Sequence, residues 1–149
     1  MSDISTAEIR EAIDDSVHAA SVKAAAFVIS DHFGARQGDL APNTAFTQKR
    51  KKRTSNVGQV LVDQDKMIKS TTAEKRGWGE AAVTNPHRLM PLHTFGGAIK
   101  FFGKGTKYIP GRDTIRLTCE SREDEILKTA QEGLDHVLQK NFKIKVMIG

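Results

Sequence analysis

A single cysteine, Cys119, stands in this 149-residue chain. One thiol excludes an internal disulfide and leaves no CxxC pair for a redox or zinc site, which fits a reducing compartment. In the strand expected over 114–119 it reads as a buried, inert thiol. No apolar run approaches the roughly 18 residues that cross a bilayer, so no membrane partner is expected. Met1-Ser2-Asp3 carries neither the charged nor the apolar region of a secretory signal, and synthesis in the cytosol is the expectation. Catalytic signatures are missing too. There is no G-x-S-x-G elbow. Gly103-Lys104-Gly105-Thr106 falls short of a phosphate loop, because Gly105 follows Lys104 and no glycine lies five residues before Gly103. His87 and His93 lack the i, i+4 spacing of a zincin helix, and no carboxylate or thiol pattern completes a ligand set with His18, His32 or His136. Asp14-Asp15 and the pair Asp63 and Asp65 read as solvated surface carboxylates. The expectation is a protein that is not an enzyme and holds no cofactor and no metal.

What is present is enough for one domain with its own core. Hydrophobic residues make up 38% and charged residues 28%, which is not the composition of a disordered chain. The net charge of +5 equals one run, Lys49, Arg50, Lys51, Lys52 and Arg53. Five adjacent like charges repel and stay at the surface unless an anion compensates them. The run reads either as a solvated loop or as a patch that meets phosphate or an acidic partner. It holds no aromatic or amide residue for base recognition.

Periodicity orders the rest. Ser5 with Glu8 makes a capping box before Ile9, Ile13, Val17, Ala20, Ala24 and Phe27, so a long first helix is expected, with Gly34 as a stop. Gly38, Asp39, Pro42 and Asn43 break the pattern into a loop. Residues 67–73 and 78–84 read as a hairpin turning over 74–77. Pro86 can open a short helix that Pro91 limits and Gly96-Gly97 stops. Residues 99–102 and 114–119 are strand candidates, completing a small, mostly antiparallel sheet. Ser121 then caps a second long helix whose stripe, Ile126, Leu127, Ala130, Leu134, Val137 and Leu138, is expected on that sheet. Ile144, Val146 and Ile148 share one face of a terminal strand. The fold class is α+β: a small curved sheet flanked by N- and C-terminal helices. A single domain over 1–149 divides into the helix 1–34, a loop and basic segment 35–58, a sheet region with short helix and hairpin arm 59–120, and helix plus strand 121–149.

Some apolar surface lacks an obvious cover. Phe101, Phe102, Tyr108 and Ile109 flank the Gly/Lys tip, and the terminal strand offers an edge guarded by Lys143 and Lys145; both read either as core or as assembly surface.

Four marks follow in fixed order: the loop from Gln37 through Pro42 to Thr44 with its basic run, Val60-Leu61-Val62-Asp63, His93-Thr94-Phe95-Gly96-Gly97, and Ile109-Pro110-Gly111-Arg112. In that order the chain resembles the phage virion morphogenesis family, the tail-completion and neck proteins of tailed bacteriophages. The third mark is similar to the family's His-x-Phe-Gly signature, and the fourth to its Ile-Pro-x-Arg. The resemblance implies a structural protein that completes the tail or joins head to tail as a ring, with six copies expected. Its partners would be other neck and tail proteins and DNA passing through the channel. Its location would be the virion, after assembly in the host cytoplasm. Contacts between copies would draw on Phe101, Phe102, Lys104, Tyr108, Ile109, Arg112, Ile144, Val146 and Ile148. The run from Lys49 to Arg53 would line the channel or grip an acidic neighbour. His93, Phe95, Gly96, Gly97 and Pro110 would be structural, His93 packing or hydrogen bonding beside Phe95, with Arg112 anchoring the turn through a carboxylate or a backbone carbonyl. A small basic nucleic-acid-binding protein is the alternative.

Overall fold

Ser5 starts the first helix by exchanging hydrogen bonds with Glu8. Its hydroxyl accepts the Glu8 N–H at 3.2 Å, and the Glu8 carboxylate accepts the Ser5 N–H at 2.7 Å, so two otherwise orphaned donors are satisfied. A computed structural model describes residues 5–35, 40–42, 48, 66–101 and 105–141. In it, α1 (Thr6–Phe27) runs on into a π-helical turn (Val28–Ala35). There follow α2 (Lys66–Lys69), β1 (Thr72–Gly77), β2 (Glu80–Thr84), α3 (Met90–Phe95), β3 (Gly97–Phe101), β4 (Gly105–Ile109), α4 (Thr114–Ser121) and α5 (Glu123–Asn141).

The centre of this arrangement is α1, which other elements cover on two sides. Its buried residues are small: Ser16, Ala20, Ser21, Ala24 and Ala25. They let α5 come close, and a Cβ added at Gly133 would lie 2.7 Å from the Ser16 hydroxyl. The β1–β2 hairpin packs on another side of α1. Asp14 accepts the Gly79 N–H at 2.6 Å, Lys75 pairs with Asp15 at 2.6 Å, and the Arg10 guanidinium lies 5.8 Å from the Trp78 ring. The Lys75–Asp15 pair holds the Lys75 ammonium above its ordinary pKa, chiefly through that hydrogen bond.

A compact apolar cluster sits where α1 becomes the π-helical turn. Val28, Leu40, Met67 and Met90 are buried, with Ile68, Val83, Ile115 and Leu117 packed against them. Each such side chain contributes about 2 kcal/mol on leaving water. Arg122, between α4 and α5, fastens this end. It donates to both carboxylate oxygens of buried Asp31 at 2.8 and 3.1 Å, reaches Glu125 at 2.6 Å and lies 4.8 Å from the Phe27 ring. The hydrogen bonds to Asp31 and then Glu125 push the Arg122 pKa up.

The class is α+β with a long helix at each end, as the patterning indicates, but several elements differ from expectation. Instead of one sheet, the described residues form two separate two-stranded antiparallel sheets, β1–β2 and β3–β4. Residues 66–69 are helical, and the first hairpin turns at Trp78 and Gly79, where Gly79 supplies a φ of 68°. The 114–119 strand is helix α4, begun by Asp113, whose side chain accepts the Arg116 N–H at 3.1 Å. Ser121 therefore ends α4 rather than capping α5, and α5 lies on α1 rather than on a sheet. Pro91 sits at the start of α3, where its missing N–H has no helical partner to lose. Cys119 is on the exposed side of α4 rather than buried in a strand; burial of part of the thiol, with Asp113 and Glu120 nearby, raises its pKa. The terminal strand with Ile144, Val146 and Ile148, the run from Lys49 to Arg53, and the mark from Val60 to Asp63 lie outside the described residues.

Candidate assembly site

Gly96 ends α3 with a φ of 72° and leads directly into β3. Only glycine fits there. A Cβ would lie 2.7 Å from the Gly111 nitrogen and 2.8 Å from the Ile109 carbonyl oxygen, both backbone atoms with nowhere to go. Gly111 meets the same crossing from the other side, since its Cβ would stand 3.0 Å from the Phe95 carbonyl carbon and the Thr94 oxygen. The two glycines thus let the chain leaving β4 pass against the end of α3.

Arg112 locks the crossing. Its backbone N–H donates to the His93 carbonyl at 2.5 Å. Its guanidinium donates from Nε to the Ala41 carbonyl at 2.6 Å and from Nη2 to the Pro42 carbonyl at 2.8 Å. The residue is 5% exposed, and burial lowers its pKa. A planar fork satisfies two carbonyls at once, and charge-assisted bonds of this kind are stronger than neutral ones. The anchor expected of Arg112 is therefore a pair of backbone carbonyls. Because the side chain is inside the subunit, it is not a surface for a neighbouring copy. Sequence reading missed Gly111 as a contact and the partnership of Ala41 and Pro42 with Arg112, which no local signal reveals across 71 and 70 positions.

Beyond this knot the β3–β4 hairpin stands largely by itself. Ala98 pairs with Tyr108 and Lys100 with Thr106, all four exposed on one face of the ribbon. Ile99 and Lys107 pair on the other face, and Ile109 is half-buried at the base. No other described element packs extensively against the hairpin. Tyr108 is 75% exposed and Phe95, at its foot, 82% exposed. Phe95 is thus turned largely to solvent. Pro110 and Gly97 flank the crossing, both half-buried. Phe102 and Lys104 lie outside the described residues, as does the Phe101 side chain.

The knot is a fastening, not a constellation of acid, base and nucleophile. Among the described residues no group of three His, Cys, Asp or Glu side chains could hold a metal ion. Among them, also, no helix is long and apolar enough to cross a membrane. No protein-family model, no curated protein and no solved structure matches the chain.

Proposed function

We propose that the chain is a structural subunit of a tailed bacteriophage, completing the tail or joining head to tail as a ring of identical copies, and that it acts by assembly rather than catalysis. One observation carries this. Three segments singled out in the sequence, at 41–42, 93–97 and 109–112, meet in one knot around the buried Arg112. From that knot projects a hairpin whose Tyr108 the subunit leaves 75% exposed. A rigid root under an exposed arm is what a ring of identical subunits uses, because closed rotational symmetry needs one patch to meet a different patch on the next copy. Exposed aromatics are the side chains that supply most of the binding energy at such contacts. Six copies, neighbouring neck and tail proteins, DNA in the channel and a place in the virion follow from the same proposal.

Electron microscopy and sedimentation of the purified chain test it: closed rings are expected, and a monomer at every concentration would overturn it. Replacing Lys49, Arg50, Lys51, Lys52 and Arg53 with Ala should preserve the folded signal and leave heads and tails unjoined. One feature favours nucleic-acid binding instead, namely Lys100 and Lys107 on the ribbon that carries exposed Tyr108. On that alternative, free duplex or single-stranded DNA binds the protein and dissociates steeply as salt rises, whereas a ring component shows little affinity for either.

A further inference from the structure

The chain segregates its charge. From residue 81 to residue 112 there are five Lys and Arg and no Asp or Glu, whereas from 113 to 135 there are seven Asp and Glu against three Lys and Arg. The first stretch contains the β3–β4 ribbon and the second contains α4 and most of α5. Helix α5 turns Gly133 toward α1, yet Leu127 remains 59% exposed and Leu138 47%. These leucines stand eleven positions apart, about three turns, so they share one side of the helix roughly 16 Å apart. Asp124 and Asp135 precede them by three positions each, so the exposed side repeats an Asp-x-x-Leu unit. Both aspartates are exposed, and neither enters an ion pair among the described residues. Lys100, on the Tyr108 face of the ribbon, is likewise exposed and unpaired there, whereas Lys107 lies on the opposite face.

Deepening the ring reading and resting on it, we propose that the β3–β4 ribbon of one copy docks on this outer side of α5 of the next, its Ala98–Tyr108 face on Leu127 and Leu138 and Lys100 of that same face beside the aspartates Asp124 and Asp135. The lengths agree: a five-residue strand spans about 17 Å, close to the distance between the two Asp-x-x-Leu units. The signs agree too, and the two patches differ, so repeating the contact carries a ring forward rather than closing a two-fold dimer. Two arms pressed together would instead oppose lysine to lysine.

Sedimentation of the full chain carrying paired charge reversals tests the contact. K100E and D124K/D135K should each raise the concentration needed for half-assembly about fivefold, as expected when an exposed attraction turns to repulsion. Mixing the two variants should restore assembly, because the reversed arm of one then meets the reversed helix of the other. Should Asp124→Lys weaken the start of α5, D135K alone, mixed with K100E, gives the same readout. If the reversals leave oligomers unchanged, or mixing restores nothing, the docking proposal falls while the ring stands. If the unaltered chain never oligomerises, both fall.

Discussion

Arg112 is the residue on which the knot depends. Its guanidinium is the donor for two carbonyls seventy positions away in the chain, and its backbone N–H holds the His93 carbonyl. Replacing Arg112 with Ala removes both charge-assisted bonds and leaves part-buried carbonyls without them, so chemical denaturation should register a loss of about 3 kcal/mol. Arg112→Lys keeps the charge but cannot point two fixed donors at two acceptors, and should recover only part of the loss. Equal stability of all three proteins would mean that the segment at Ala41 and Pro42 is held by something else. Glu8 offers a second test, in pH. Its carboxylate lies below its ordinary pKa of 4.5, first because of the Ser5 backbone hydrogen bond and then the Ser5 side chain. A lowered pKa in the folded state means the charged form stabilises the fold above that range, and the benefit disappears as pH falls through the folded value. Glu8→Gln keeps the cap geometry but not the charge. The gap in thermal midpoint between the original chain and this variant should therefore be open at pH 7 and close below about pH 4.5.

Among the elements, those written in local chemistry could be read from the sequence, and those decided by distant partners could not. The capping box at Ser5 and Glu8 and the acidic first turn of α5 announce both long helices. By contrast, Ile115, Leu117 and Cys119 alternate in the manner of a half-buried strand, which hides α4. The signal that competes is Asp113, a helix cap, followed by Thr114 and Thr118 at i, i+4. Both threonines are fully buried, and the Thr118 hydroxyl donates to the Thr114 carbonyl at 2.8 Å. At the knot, the order of marks exposed Pro42, Gly96 and Arg112 as special, but which atoms they join depends on separations a single sequence does not encode. The α1–α5 contact is another such case. Ala would raise helix propensity at Gly133 by about 1 kcal/mol in isolation. Here it would press on Ser16, whose own backbone and Cβ stand 3.4 and 3.1 Å from the added carbon. Gly133→Ala should therefore lower the thermal midpoint, and adding Ser16→Gly should restore it, since the double variant moves the missing side chain across the interface. Additive losses in that cycle would show that the two positions do not press on each other.

At the scale of the molecule, stability and assembly occupy different parts of the chain. The apolar cluster of Val28, Leu40, Met67 and Met90 draws on α2, α3, the start of the π-helical turn and the loop at 40–42, with α4 and β2 packed alongside. Among the described residues, the β3–β4 ribbon adds none to that cluster. A lone two-stranded hairpin is marginal in water, so this one persists because the knot of Gly96, Gly111 and Arg112 clamps both of its ends. A shortened arm separates the two roles. Replacing residues 99–107 with Asn-Gly keeps the base pair of Ala98 with Tyr108 and closes it with a two-residue turn suited to antiparallel strands. If the arm exists for contact between copies, unfolding should change by no more than about 1 kcal/mol, the range of surface changes remote from a core, while the oligomer disappears. A large loss of stability would instead make the ribbon part of the subunit's own core, and the exposed Tyr108 would then need another explanation.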